Sequence, residues 1–193
     1  MKVGIFGGTF DPPHIGHLIA AQDALDILSL DSVVFIPARV PPHKQHEKVT
    51  DSALRLRMIQ AAAAHDPRFE VSDAEVRRSG TSYTVDTLRE LHEKRPNDDL
   101  FLLLGVDQVL EFSTWREPEE ILRLARLAML ERAGVEHLDA GDIVHQTVRV
   151  TRVDVSSTLV RQRAAAGRSI RYLVPESVEK IIAAERLYSR GSG

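Results

Sequence analysis

Short apolar segments and longer amphipathic segments alternate along this chain. The apolar segments predict strands at Lys2–Phe6, Val33–Pro37, Phe69–Ser72, Leu100–Gly105 and Ala125–Glu131, with one or two more within Thr147–Val153. The amphipathic segments predict helices at Ile15–Ser29, Ser52–His65, Val85–Lys94, Pro118–Arg123, Ser157–Ala166 and Pro175–Ala184. Such alternation is typical of an α/β fold in which helices cover both faces of a parallel sheet.

The composition is that of an ordinary globular domain, with 193 residues, 43% hydrophobic and 27% charged. We therefore expect a single domain over residues 1–188 and a disordered tail over residues 189–193. The net charge of −3 gives no electrostatic reason to expect nucleic acid or an anionic membrane as a partner. The absence of cysteine fits a cytoplasmic protein, and we expect no signal peptide and no membrane span. Assembly into a homo-oligomer stays open.

The first turn of the chain is its most informative segment. It runs from Gly7 and Gly8, after the first strand, to His14 and His17 at the start of the first helix. Glycines let backbone N–H groups approach an anion, and the free amides of a helix N-terminus favour negative charge. The two histidines lie one turn apart and can donate to the same phosphate. The segment therefore predicts a phosphate-binding site.

Two other interpretations of these histidines are open. The pair could cap a surface helix, with the glycines forming an ordinary turn. Alternatively, His43 and His46 form a second pair with the same spacing, and two such pairs could bind zinc. The zinc hypothesis is disfavoured because His43 and His46 lie in a proline-rich segment without a regular framework, and because the chain has no cysteine.

The string His14-Ile15-Gly16-His17 matches the [HT]xGH signature of the nucleotidyltransferase superfamily. The longer string GGTFDPPHIGHL resembles the opening of bacterial nicotinate-nucleotide adenylyltransferases. This resemblance implies a Rossmann-like open parallel sheet with a small C-terminal helical part. It also implies transfer of AMP from ATP to nicotinate mononucleotide, giving deamido-NAD and pyrophosphate. The motif also spells HIGH, as in class I aminoacyl-tRNA synthetases, but the chain has no KMSKS-type motif.

A second motif lies near the C-terminal end, in Val155-Ser156-Ser157-Thr158-Leu159-Val160-Arg161. From spacing alone, Ser156 or Ser157 caps a surface helix and Arg161 is solvated. The string also resembles the ISSTxxR signature of the same superfamily, in which the helix start and its arginine bind the ATP phosphates. The resemblance therefore assigns Ser157, Thr158 and Arg161 to ATP.

Four further segments resemble the substrate-binding parts of the family. These are Pro41-Pro42-His43-Lys44, the string from Gly80 to Leu88 that contains Thr84, the string Gly105-Val106-Asp107, and the later Trp115-Arg116. Each has a simpler explanation: a solvated loop, a helix cap, an acid at a strand end, and a tryptophan in the core. The resemblance implies that the nicotinate mononucleotide site uses Lys44, Thr84, Asp107, Trp115 and Arg116.

The remaining roles follow from the resemblance and from phosphate chemistry. His14, His17 and Arg161 are expected to be catalytic, and Gly7, Gly8, Thr9 and Phe10 are expected to contact ATP together with His17. Mg²⁺ is expected to arrive on ATP oxygens rather than in a protein metal site. Phosphopantetheine adenylyltransferases, cytidylyltransferases and a non-catalytic ATP sensor stay open as rival functions.

Overall fold

The structure, a computed structural model, describes residues 1–40, 49–132 and 143–189. Across these residues, six parallel strands form one sheet in the order β3-β2-β1-β4-β5-β6. The strands are β1 (Lys2–Gly8), β2 (Ser32–Pro37), β3 (Phe69–Val71), β4 (Asp99–Gly105), β5 (Arg126–Arg132) and β6 (Val144–Val150). This is the order of a Rossmann fold, so the predicted fold class is confirmed.

Helices connect the strands and cover both faces of the sheet. They are α1 (Ile15–Leu28), α2 (Ser52–Ala63), α3 (Ala74–Arg77), α4 (Thr84–Lys94), α5 (Val106–Leu110), α6 (Pro118–Leu124), α7 (Ser157–Ala165) and α8 (Glu176–Ala184). The hydrophobic pattern predicted neither α3 nor α5, because helices this short show no helical period. The Asp51 carboxylate caps α2 by accepting from the Ala53 N–H at 2.9 Å.

The core has one layer on each face of the sheet. Side chains of α1, α2, α7 and α8 pack together on one face, which includes Ala24, Met58, Val160 and Val178. Side chains of α4, α5 and α6 pack on the other face. The C-terminal helices α7 and α8 therefore share a core with α1 and α2.

The sheet places its ligand-binding edge beside β1. The chain leaves β1 to form β2 on one side and later returns to form β4 on the other side, so strand order reverses at this point. In open α/β sheets, ligands bind at the carboxyl ends of the strands beside such a reversal. Both the glycine turn after β1 and the start of α5 after β4 lie at this edge. Within the described residues, no helix is long and apolar enough to cross a bilayer.

Candidate active site

The turn after β1 is held in place by a buried aromatic ring. Phe10 has a positive φ of 49° and is 2% exposed. Its ring packs against Phe6, Phe35 and His17 at centroid distances of 5.9, 5.8 and 5.0 Å. A Cβ on Gly8 would lie 2.9 Å from the Phe10 ring, which explains the glycine. The buried side chain of Phe10 shapes the turn, and its predicted contact with ATP stays a prediction.

The two histidines of the first motif form a stacked pair at the start of α1. Their ring centroids are 3.7 Å apart with an interplanar angle of 26°. The backbone N–H of His14 donates to Nδ1 of His17 at 3.1 Å, so the neutral His17 ring carries its proton on Nε2, as a donor. A Cβ on Gly16 would lie 3.0 Å from Nδ1 of His14, so the glycine leaves room for that ring.

The C-terminal motif lies against the first motif, as the resemblance implied. The hydroxyl of Ser156 accepts from the Leu159 N–H at 3.1 Å and caps α7. The hydroxyl of Ser157 donates to the carbonyl oxygen of Pro12 at 2.8 Å, and Nη1 of Arg161 donates to the carbonyl oxygen of Asp11 at 2.7 Å. The start of α7 and the histidine turn therefore form one surface.

A buried carboxylate joins this surface to the C-terminal end of the described chain. Asp11 is 5% exposed, and its Oδ1 accepts from the Tyr188 hydroxyl at 2.6 Å. Its Oδ2 accepts from the N–H of Thr50 at 3.1 Å. Burial and the charge of Asp11 raise the pKa of Tyr188, which therefore stays protonated as a donor. Sequence reasoning gave Tyr188 no role.

Arg55 is a second buried residue that the sequence did not reveal. It is 1% exposed, and its guanidinium donates to the carbonyl oxygens of Thr50 at 2.7 Å, Thr9 at 2.8 Å and Arg39 at 3.0 Å. Burial lowers the pKa of this guanidinium. The side chain ties the glycine turn to residues on either side of segment 41–48.

Replacing Arg55 with methionine should lower the free energy of unfolding by about 3 kcal/mol, because buried carbonyl oxygens lose their donors. Urea unfolding followed by circular dichroism measures the change. Arg57→Met is the matched control on the same helix, since Arg57 is exposed and bonded to Glu185. The control should cost less than about 1 kcal/mol. Equal losses for the two variants would contradict the anchoring role.

A cavity of about 300 Å³ opens at the carboxyl ends of β1, β2 and β4. It is lined by Ile5, Gly7, Gly8, Thr9, Ile36, Ala38, Glu75, Ser82, Tyr83, Thr84, Thr87, Leu88, Leu102, Leu104, Gln108, Thr114, Trp115, Arg116 and Ile121. The volume lies at the lower end of the roughly 300–1,000 Å³ typical of small-molecule sites. The cavity brings the glycine turn together with three of the five residues predicted for the mononucleotide: Thr84, Trp115 and Arg116.

The far wall of the cavity combines aromatic and charged groups. Trp115 packs on Phe112 with ring centroids 5.6 Å apart. The Arg116 guanidinium lies over the ring of Tyr83 at 4.9 Å, and its Nη1 is 3.6 Å from a carboxylate oxygen of Asp86. Helix α4 begins at Thr84, so Tyr83 occupies the cap position that the simpler interpretation gave to Thr84, and its side chain makes no capping bond.

Glu75 is a buried acid in the same wall, which sequence reasoning missed. It is 8% exposed, and Oε1 accepts from the Thr87 hydroxyl at 2.7 Å. The Ser82 hydroxyl also favours its charged form. Burial raises the pKa of Glu75 above its ordinary value, while the two hydroxyls and Arg78 act in the opposite direction.

One predicted mononucleotide contact is not part of this cavity wall, and another lies outside the described residues. Asp107 lies in the first turn of α5, where it is exposed and outside the lining. Lys44 lies outside the described residues, as do His43 and His46 of the zinc hypothesis. Their predicted roles therefore stay predictions.

Comparison with known proteins identifies the family of the chain. A family profile described as cytidylyltransferase-like matches residues 5–163. A relative from Exiguobacterium sibiricum, named "Probable nicotinate-nucleotide adenylyltransferase", is 45% identical over 194 residues, covering 98% of this chain and 100% of the relative. A relative from Thermus thermophilus with the same name is 44% identical over 188 residues, covering 97% of this chain and 100% of the relative.

Solved structures share the fold at much lower identity. Plasmodium falciparum nicotinic acid mononucleotide adenylyltransferase complexed with NaAD superposes with a TM-score of 0.80 at 17% identity, covering 97% of each chain. The same protein complexed with APC gives a TM-score of 0.79 over 97% of this chain and 96% of the other. With a matching profile and relatives of full length, the chain belongs to the cytidylyltransferase-like family and, within it, to the nicotinate-nucleotide adenylyltransferases.

Proposed function

We propose that this protein transfers AMP from ATP to nicotinate mononucleotide, producing deamido-NAD and pyrophosphate. The observation that carries the proposal is the position of the glycine turn. Gly7, Gly8 and Thr9 line the cavity that holds Trp115. The same turn continues through Asp11 and Pro12, whose carbonyl oxygens accept from Arg161 and Ser157 of α7, and then into the histidine pair. Two nucleotides bound on these surfaces would therefore meet at one turn.

On the ATP side, the available groups are donors suited to polyphosphate. The hydroxyls of Ser157 and Thr158, the free amides of α7 and the Arg161 guanidinium would hold the β- and γ-phosphates. The stacked His14 and His17 would stabilise charge on the α-phosphate, with Nε2–H of His17 as the main donor. Backbone amides of the glycine turn would complete the contacts.

The reaction would be a direct displacement at the α-phosphorus. An oxygen of the mononucleotide 5′-phosphate forms the new bond, and the bond from the α-phosphorus to the bridging oxygen of the β-phosphate breaks. Pyrophosphate leaves with that electron pair. A phosphate is already anionic at neutral pH, so no general base is needed. The chain contributes alignment of two anions and stabilisation of the developing charge.

On the pyridine side, Trp115 would stack on the ring, while amides at the start of α4 near Thr84 would bind the carboxylate. Arg116 would add positive charge at the same end. Lys44 and Asp107 remain proposed contacts for the rest of the mononucleotide. Because ATP is the donor, we place the reaction in the cytoplasm.

Mg²⁺ fits this site as an ion that enters bound to the phosphates of ATP. Among the described residues, no cluster of three or more His, Asp or Glu side chains could hold a metal ion. The donors around the histidine turn are imidazole, hydroxyl and guanidinium groups, whereas Mg²⁺ prefers anionic oxygens. Phosphate oxygens and water would therefore hold the ion, which would neutralise charge on the departing pyrophosphate.

ATP labelled at the α-phosphorus tests the proposed route. In a single turnover with nicotinate mononucleotide, the label should pass directly into the dinucleotide, with no labelled protein at any time. Label on the protein, or label in free AMP without dinucleotide, would contradict direct transfer.

Arg161→Lys should raise KM for ATP by about 10-fold or more, because one ammonium group cannot bond Asp11 and a phosphate as a guanidinium does. KM for the mononucleotide should change much less. Initial-rate kinetics for each substrate measure both values. The control is Arg163→Lys on the same helix, where the guanidinium donates to the Ser169 carbonyl oxygen. Equal losses for both substrates would show that Arg161 has a structural role.

A further inference from the structure

Glu75 is a buried acid that accepts a hydrogen bond from the neutral hydroxyl of Thr87, and the Ser82 hydroxyl also favours its charged form. Arg78 is the charged neighbour, and its Nη1 donates to the Thr87 hydroxyl at 3.3 Å while its Nη2 bonds Glu90 at 2.9 Å. Burial of a carboxylate is costly, and an apolar residue would fill such a place at lower cost. A negative charge in the wall of a cavity that binds an anionic substrate also repels that substrate. The burial of Glu75 therefore needs an explanation other than a contribution to stability.

The hydroxyl that Glu75 bonds lies in the first turn of α4, on Thr87. The Ser82 hydroxyl, which lies before the first helical residue Thr84, lines the same cavity. The cap residue Tyr83 makes no capping bond with its side chain, so the ordinary means of fixing a helix start is missing here. The carboxylate of Glu75 holds the first turn of α4 from outside the helix through its hydrogen bond with Thr87.

Ser82 also connects this helix start to the segment after β2. Its hydroxyl oxygen accepts from the Arg39 N–H at 3.0 Å, and its own N–H donates to the Val40 carbonyl oxygen at 3.1 Å. Loss of the carboxylate would leave the Thr87 hydroxyl without its 2.7 Å acceptor, and the helix start would be held mainly by the contacts of Ser82.

We propose that Glu75 is a positioning residue that aligns the amides at the start of α4 with the substituent of the pyridine ring. The proposal rests on the function proposed above. Glu75 does not touch the substrate; it sets how strongly the site distinguishes a carboxylate from a carboxamide. A displacement of such donors by about 1 Å costs roughly 10²-fold in rate.

The test compares kcat/KM for nicotinate and nicotinamide mononucleotide in the wild type, Glu75→Ala, Glu75→Gln and Glu75→Asp. We expect Glu75→Ala to lower the preference for nicotinate by about 10- to 100-fold while KM for ATP stays within about 2-fold. Glu75→Asp keeps the charge but reaches less far by one methylene, so it should also lower the preference. Glu75→Gln keeps the length and one acceptor oxygen, so it should retain most of it.

Glu70→Ala is the matched control, because Glu70 is a partly buried acid on β3, bonded to Arg95 and outside the cavity. It should leave the preference unchanged. An unchanged preference in Glu75→Asp or Glu75→Ala would overturn the proposal, as would an equal loss in Glu70→Ala. If Glu75→Ala fails to fold, Glu75→Asp and Glu75→Gln decide. Failure of the wild type to use either mononucleotide would instead overturn the proposed function.

Discussion

Nicotinate mononucleotide should be used with a kcat/KM about 10⁴-fold above that of nicotinamide mononucleotide. The start of α4 presents backbone amides at Thr84, and Arg116 adds positive charge at the same wall. A carboxylate satisfies these donors, whereas a carboxamide brings its own N–H donors and leaves amides unpaired. Initial rates with each mononucleotide measure the ratio directly, and equal use of both would refute the carboxylate pocket.

The same preference should survive the loss of Trp115. The stacking energy depends on the flat pyridine ring, which both mononucleotides share, and not on the ring substituent. Trp115→Ala should therefore lower kcat/KM for both mononucleotides by a similar factor. Trp115→Phe keeps an aromatic ring and should recover part of the loss. A preference that disappears in Trp115→Ala would show that the discrimination belongs to the tryptophan and not to the helix start.

His17→Ala should lower kcat by roughly 10²-fold or more, the usual effect of losing one preorganised donor to developing charge. We expect this loss because the tautomer of the His17 ring is fixed. Because Nδ1 of His17 accepts from the His14 N–H, the ring presents Nε2–H as a donor. Steady-state turnover with saturating ATP and nicotinate mononucleotide measures the loss.

The control for His17 is another histidine of the same chain. His92→Ala removes an exposed imidazole in the last turn of α4 and should leave kcat unchanged. Circular dichroism should show an intact fold for both variants. Near-normal turnover in folded His17→Ala protein would remove His17 from the proposed mechanism.

The sequence predicts those features that depend on neighbouring residues. The apolar run before Gly7, the helix after His14 and the serine cap at Ser156 are local patterns, and the structure confirms each of them. The resemblance adds the long-range pairing of the histidine turn with Arg161, which local patterns cannot supply. Together they predict the fold class and the contact between the two motifs.

Features set by tertiary contacts were not predicted. In the sequence, Arg55 looks like one more charged residue on an amphipathic helix. It is nevertheless buried, because carbonyl oxygens from three separated positions accept hydrogen bonds from its guanidinium. Asp11 and Tyr188 are bonded across 177 positions, a pairing that has no local signal. The rule that ligands bind near strand ends does not predict which side chains at those ends face the ligand. Asp107 follows β4 but lies outside the cavity lining.

The most direct test of the central claim is pyrophosphate release from ATP with one acceptor at a time. The acceptors are nicotinate mononucleotide, nicotinamide mononucleotide and phosphopantetheine, and a reaction without acceptor gives the background. We predict rapid release with nicotinate mononucleotide, matched one to one by deamido-NAD, and little release with the other two. Release only with phosphopantetheine, or ATP binding without release for any acceptor, would contradict the proposed function.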